Sequence, residues 1–481
     1  MNAANETAVL PAAKALRDYD SLPGPRPWPV LGNLPQIRID RIHQHFEAWS
    51  REYGPYYRLT MGGPLLVVSD HAVVQQVLRD RPDGFRRTKR LEAIGREMGL
   101  KPGLFGSEGE MWKRQRRMVM SAFDPGHVKS YFPSLVRCTE RLHGRWGQAA
   151  QAGRTIDLQA DLMRFTVDAI SGLAFGTDVN TLESDDDVIQ RHLDHIFPKL
   201  FTRLISAVPY WRWFKLPSDR ALDRALAEVD VAVNRFIADA RARLAADPAR
   251  RAHPMNLLEA MLVAADAPDS GIDDDQVAGN VLTMLLAGED TTANTLAWCI
   301  WLLKTHPEAL ARAQAQAREV LGGTVAPSQE QLGRLDYLEA CAHETMRLKP
   351  VAPQLPVQAL KDGVVGDVRI RAGTIVVGLM RSDGVDERLV PQAAAFRPER
   401  WLGDDALAGG NNVKRISMPF GAGPRMCPGR YLALMEMKMV LGMLLARFDL
   451  ETVATADGSE PAERLKFTMT PQGLGMRLRA A

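Results

Sequence analysis

The segment from Asp273 to about Thr305 decides what this chain can fold into. It holds the longest helical pattern in the sequence and is apolar on nearly every face, through Val277, Val281, Leu282, Leu285, Leu286, Leu296, Trp298 and Ile300. Asp273 is placed to cap it, with Gln276 three residues on reaching back. At ~1.5 Å per residue such a helix is about 50 Å long, enough to cross a whole domain. A helix with no polar face must be enclosed by other elements. In its middle stands Ala287-Gly288-Glu289-Asp290-Thr291-Thr292, where two acids, a glycine and two threonines weaken the helix. One reading is a polar stripe facing solvent. The other is a local distortion, opened by the glycine and by hydroxyls bonding back to carbonyls, that admits water or a small molecule.

The rest of the chain can supply that enclosure. Helical periodicity predicts an amphipathic helix over Ile42–Tyr53, and further helices over 72–79, 111–121, 128–151, 158–175, 187–205, 220–246, 254–264 and 335–348. Strands are expected at 56–61 and 65–69, joined at Gly62-Gly63-Pro64, and later at 354–360, 368–370, 374–379 and 467–478. The fold class is therefore mainly α with a small β-sheet region. No Ser/Gly-rich linker or charge block divides the sequence, so 22–481 reads as a single domain behind a flexible tail, 1–21. Residues 22–33, rich in proline, read as an extended entry segment.

Apolar content of 46% and charged content of 25% fit an ordinary globular protein, and a net charge of +2 argues against nucleic-acid binding by the whole chain. Four widely spaced cysteines without a secretory leader point away from a disulfide framework and toward the cytoplasm. The first residues lack the long apolar core of a signal or transmembrane anchor.

One of those cysteines, Cys427, lies in Met418–Arg430, read as M-P-F-G-A-G-P-R-M-C-P-G-R, just before an apolar helical run. Free backbone N–H groups at a helix start stabilise a thiolate, and Arg425 is expected to add a charge beside it. A buried structural cysteine would need no such loop. A zinc or iron–sulfur site would need partners that the neighbouring sequence lacks. An axial thiolate to haem iron needs one cysteine only.

Phe420, Gly423, Arg425, Cys427 and Gly429 resemble, position for position, the F-x-x-G-x-R-x-C-x-G signature of the cytochrome P-450 superfamily. The resemblance extends from Leu22 to the C-terminus. It implies the P-450 fold, with the long central helix lying over a haem b (iron protoporphyrin IX) whose iron Cys427 ligates. Ala287 to Thr292 look like the family's A-G-x-D-T-T segment. By that likeness Ala287 lies against the haem, Thr291 hydrogen-bonds dioxygen, and Asp290 helps bring protons. Glu344 and Arg347 resemble the E-x-x-R helix, with Arg400, in F-R-P-E-R-W, as third member of a structural salt-bridge cluster. Trp112 and Arg116, in W-x-x-x-R, resemble the pair that binds a haem propionate, and Arg425 is the second expected propionate partner. Where many members carry a third, this chain has Gly384-Val385-Asp386; Arg381 is the candidate substitute.

What the resemblance implies is a monooxygenase that hydroxylates or epoxidises a hydrophobic small molecule with O2 and two electrons from NAD(P)H. Its pocket would draw on 91–105, Leu286, Ala287, 352–355 and the turn 471–474, with the aromatic run 209–217 either a lid or plain packing. The chain ends soon after Cys427, so a separate ferredoxin- or flavodoxin-type donor with its reductase is expected, docking on Lys113, Arg114, Arg117, Arg430 and Lys438. A monomer is expected. Two other readings keep the fold: peroxide-driven chemistry, which the acid–threonine pair argues against, and a non-catalytic haem protein.

Overall fold

The computed structural model describes residues 15–123, 125–184, 188–206, 208–402 and 413–481. Residues 1–14 of the expected tail, and the expected helix start at 187, lie outside them.

The central helix runs unbroken from Asp274 to Thr305. Asp273 caps it: its carboxylate accepts from the Gln276 N–H at 2.8 Å, and the Gln276 side chain accepts from the Asp273 N–H at 3.3 Å. Burial on all sides follows the apolar pattern, each large aliphatic side chain contributing roughly 1.5–3 kcal/mol. Two separate cores use its two halves. Val277, Val281 and Leu285 belong to one, together with Trp112, Phe175, Phe236 and Leu258. Ala293, Leu296, Ile300 and Leu303 belong to the other, with Trp146, Phe165, Leu338 and Leu444. Ala287 to Thr292 fall between them and join neither.

Along the chain, the helices Gly109–Ala122, Pro125–Gln151, Leu158–Phe175, Val188–Ile205, Pro217–Ala246 and Leu257–Ala265 surround the central one. Five of their ends reach one to three residues beyond the expected segments, five coincide with them, and Leu257 starts three residues later than expected. After it come Pro307–Leu321, the helix Asp336–Leu348, and Arg430–Arg447 behind the cysteine. Gly288 is explained by packing: a Cβ there would lie 3.2 Å from Ile170 of the helix Leu158–Phe175. The helix is not distorted at this glycine, as the sequence had suggested it could be. Its threonines do bond back, Thr291 Oγ1 to the Ala287 carbonyl and Thr295 Oγ1 to that of Thr291, both at 2.8 Å.

The main sheet has five strands in the order Tyr56–Thr60, Pro64–Val68, Ile375–Leu379, Gln354–Ala359, Phe85–Arg86. The hairpin at Gly62-Gly63 forms as expected, with Tyr56 opposite Val68, while Leu65 runs parallel beside Ile375. Gln354 pairs with Leu379. The last stretch divides into two strands, Met469–Pro471 and Gly475–Ala480, in different sheets.

The entry segment is docked rather than loose. Arg17 and Asp18, expected in a flexible tail, pair in parallel with Val368 and Arg369, and Arg17 bonds Asp367 at 2.7 Å. Further on, Asn33 is fully buried between the Pro25 carbonyl and the Thr60 N–H. Trp28 and Gly32 bridge across a turn whose tip, Val30, is fully exposed at φ 63°.

Candidate active site

Short backbone bonds fold the cysteine loop: Gly421 N–H to the Met418 carbonyl (2.9 Å), Met426 to Gly423 (3.1 Å) and Cys427 to Phe420 (2.9 Å). Gly423 sits at φ 70°, and a Cβ there would stand 2.7 Å from the Cα of Arg79, so both conformation and contact demand glycine. Around Gly429, the residue that begins the next helix, a Cβ would meet nothing within 4 Å; the loop leaves open space there. Phe420 is half-buried against the core beneath.

Cys427 is exposed, yet enough protein surrounds it that burial pushes its thiol pKa up. The Gly429 N–H and the charges of Arg116 and Arg430 act in the opposite direction. Arg425, expected beside the thiol, turns away from it. Its guanidinium lies 4.6 Å over the Trp112 ring and donates to the Ser107 carbonyl (2.7 Å) and the Glu108 carboxylate (2.6 Å).

Arg425 belongs to a cluster of cations that the sequence reading only partly identified. Arg87 stacks over Phe105 at 3.6 Å, and its pKa is lowered by burial and then by Arg81 and Arg425. Burial takes Arg425 down to about 10. Buried nitrogens of Arg81 (Nε and an Nη), Arg87 (Nε) and Arg425 (Nε) find no hydrogen-bond partner among the described residues. Half-buried Arg116 feels the Cys427 side. Glu108 is the acid that acts on all three of Arg81, Arg87 and Arg425. Sheltered positive charge of this density calls for an anion. The available signal was the basic run Arg79–Arg90, where charge density outweighed any single motif.

Across from the loop's helix, Ala287 is exposed although the rest of the helix between Gln276 and Leu303 is buried or half-buried. Asp290 does not point at Thr291. One carboxylate oxygen accepts from the Asn294 amide at 2.7 Å, whose own oxygen accepts from Gln159 at 2.7 Å. The other accepts from the Thr468 hydroxyl. On the far side of the helix Glu289 is buried, and Thr292 bonds Glu436 of the cysteine helix, whose pKa burial pushes up to about 8. Thr468 and Glu436 carry no motif signal, and the fold brings them in from distant segments; Asn294, one turn beyond Asp290 on the same helix, could have been found from its i,i+4 spacing.

A chamber of about 1420 Å³ opens onto this face of the central helix. Leu91, Leu100, Phe105, Leu286, Ala287 and Ala352–Leu355 line it as the sequence predicted, and Thr291 and Thr468 stand in its wall. The turn 471–474 does not. Pro471 and Leu474 are buried in the body of the protein, and Leu465, Phe467 and Thr468 line the chamber instead. The aromatic run divides: Trp211 is buried and donates to Glu97 at 2.9 Å, whereas Trp213 and Phe214 are exposed.

The family model for cytochrome P450 matches residues 22–477. This chain belongs to the cytochrome P450 family. The P450 is 30% identical over 443 residues to cytochrome P450 CYP94D108 of Paris polyphylla, covering 86% of this chain and 84% of that one. It is 29% identical to the bifunctional cytochrome P450/NADPH–P450 reductase 2 of Bacillus subtilis, over 90% of this chain but 40% of that longer protein. The crystal structure of the cytochrome P450DA heme domain superposes with a TM-score of 0.83 at 25% identity, covering 97% of this chain and 99% of that one. The P450 is thus an oxidoreductase, a haem-thiolate monooxygenase that uses O2 and a reductase partner. Among the described residues no helix is long and apolar enough to cross a membrane.

Haem b fits the residues present. The sheltered arginines supply counter-charge for two propionates, Gly429 leaves room at the loop, and the Cys427 thiol is free and exposed there. The E-x-x-R residues of the P450 also meet. Fully buried Arg347 donates to both Glu344 oxygens (2.8 and 2.7 Å) and to the carbonyls of Gly384, Ala393 and Ala395. Glu344 accepts as well from Arg400 (3.3 Å), Trp401 Nε1 (2.9 Å) and the Arg397 N–H (2.9 Å). Arg381 is not available as a propionate partner. It is buried between Glu47 and Glu463, at 2.6 and 2.7 Å, in a cluster joined by His43 and Lys349.

Proposed function

We propose that this P450 hydroxylates or epoxidises a hydrophobic small molecule held in the chamber beside Ala287 and Thr291. The observation that carries the reading is that chamber, walled by Leu91, Phe105, Leu286, Leu355 and Phe467 and meeting the central helix at its one exposed mid-helix alanine. In this reading Cys427 ligates the haem iron and Ala287, Phe420 and Gly429 lie against the porphyrin. Trp112, Arg116 and Arg425 hold the propionates, with Arg81 and Arg87 in the place considered for Arg381. Bound haem supplies the redox chemistry that splits dioxygen, using two electrons that originate in NAD(P)H. The chain's part is to deliver protons and exclude bulk water. The Thr468 hydroxyl, in the chamber wall and bonded to Asp290, links that carboxylate to the chamber, while Thr291 presents a hydroxyl from the helix. Glu344, Arg347 and Arg400 act structurally, fixing the segment that leads to the cysteine loop.

The donor in this reading is a separate ferredoxin- or flavodoxin-type protein, and the P450 a cytoplasmic monomer, one domain from residue 22 onward. Its docking face is narrower than the sequence alone suggested. Arg114 and Arg117 stand exposed on the Trp112 helix, and Arg430 lies near the thiol. Lys113 is paired with Glu110 and Lys438 with Glu339, each at 2.7 Å. Replacing Cys427→Ser tests the core of the proposal. The reduced carbon monoxide complex should lose its thiolate band, and a retained band would refute the ligand assignment.

A further inference from the structure

The polar side chains in the chamber wall are almost all occupied by the protein itself. Thr283 and Thr291 donate to carbonyls one turn back, at 2.7 and 2.8 Å, and Ser107 donates to Gly103 at 2.9 Å. Ser206 donates to the Val208 carbonyl at 2.8 Å, Thr88 accepts from the Leu91 N–H at 3.3 Å, and Thr468 is bonded to Asp290. Gln354 differs. It lines the chamber at the start of its strand, directly after Ala352 and Pro353, and its side-chain oxygen is buried with no hydrogen-bond partner among the described residues. Its backbone is fixed by the pairing with Leu379, so only the side chain is free to turn. A buried amide oxygen on a residue of this largely apolar wall leaves its hydrogen-bonding capacity unmet at a cost that a ligand can relieve.

We infer that Gln354 sets substrate specificity by accepting a hydrogen bond from a hydroxyl on an otherwise apolar substrate. This rests on the reading of the chamber as the substrate site and deepens it. The preferred class is a hydrophobic alcohol rather than a hydrocarbon or ether. A turn about the side-chain torsions brings the amide oxygen into the chamber, where the hydroxyl supplies the donor that the protein does not. Because Gln354 is the wall's buried acceptor left without a partner among the described residues, this contact fixes which end of the substrate lies toward the strand.

The test compares alcohols with ethers that lack the donor: 1-dodecanol against its isomer 1-methoxyundecane, and 4-cyclohexylcyclohexanol against its methyl ether, one methyl larger. Binding to the haem-loaded P450 is read by the spin-state shift and, independently, by equilibrium dialysis. The wild type should favour the alcohol of at least one pair by about five- to tenfold, the worth of one neutral hydrogen bond to an otherwise unmet carbonyl. Gln354→Met should bring that ratio below twofold and leave the ether's Kd unchanged. Gln354→Glu, which keeps an acceptor, should preserve the preference. If Gln354→Met weakens alcohol and ether equally, or the wild type shows no preference, the role of Gln354 is packing and the inference is overturned. If no probe binds while the thiolate band is intact, the chamber reading fails and takes the inference with it.

Discussion

Replacing Arg347→Met should cost this P450 most of its stability. The guanidinium is wholly buried and makes five hydrogen bonds, two to Glu344 and three to the carbonyls of Gly384, Ala393 and Ala395. Breaking a buried pair by removing one partner costs about 3–5 kcal/mol, because the remaining charge is left enclosed. Each orphaned carbonyl adds roughly 1–3 kcal/mol where water cannot reach it. Even with incomplete additivity, the loss approaches the whole stability of about 5–15 kcal/mol typical of a folded protein. Removing both charges, as Glu344→Leu with Arg347→Met, relieves only the electrostatic part. The three carbonyls stay unpaired, and the Trp401 indole and Arg397 N–H lose Glu344 in turn. Arg400→Leu gives up one 3.3 Å contact to Glu344 and one bond to the Gln392 carbonyl, so its cost should be about 2–4 kcal/mol, the worth of two such bonds. Guanidinium titration followed by tryptophan fluorescence, with soluble yield alongside, ranks the three variants. An Arg347→Met protein within about 2 kcal/mol of wild type would refute this account of the cluster.

Glu436 offers a pH test. Its folded pKa, raised by burial to about 8, lies above the ordinary 4.5, so between those values the folded protein holds a proton that the unfolded chain has released. This contribution to stability therefore declines as pH rises through that window, by up to about 1.4 kcal/mol per unit, and Glu436→Gln should remove the slope when denaturation is measured at pH 5 to 8. Arg381→Met should cost about 3–5 kcal/mol through Glu47, which loses its partner, while Glu463 keeps Lys349 and His43; urea titration measures it. Reversing Arg114→Glu and Arg117→Glu should slow reduction by an acidic donor and flatten its salt dependence in stopped-flow measurements, and an unchanged rate would rule out that docking face.

Much of this architecture could be read from the sequence because its strongest signals are local. The capping box of Asp273 and Gln276 forms as the spacing requires, and the helix Leu158–Phe175 ends where its pattern ends. The cysteine loop was legible because Gly423 has no room for a side chain and Cys427 stands alone. What escaped depends on distance along the chain. Thr468 reaches Asp290 from a segment far beyond it, and Arg381 is claimed by Glu47 and Glu463, neither of which is marked by spacing. Arg425 was assigned to the thiol because sequence proximity suggested it. In the fold, the Trp112 face and Glu108 offer its guanidinium a stacking partner and a counter-charge, and Arg116 and Arg430 take the position near the sulfur.

The seam at Ala287–Thr292 has a consequence for how such a molecule can vary. The residues that grip the sulfur's helix pack in one body of the protein, those that shape much of the chamber in the other, and a single rod holds the two in register. Apart from the positions around Trp112, Leu432 and Met435, substitutions in the second body can resculpt the chamber while the helix behind Cys427 stays as it was. A change in the rod at the seam, by contrast, is felt by both at once, so novelty in diet should accumulate on one side of it and almost never upon it.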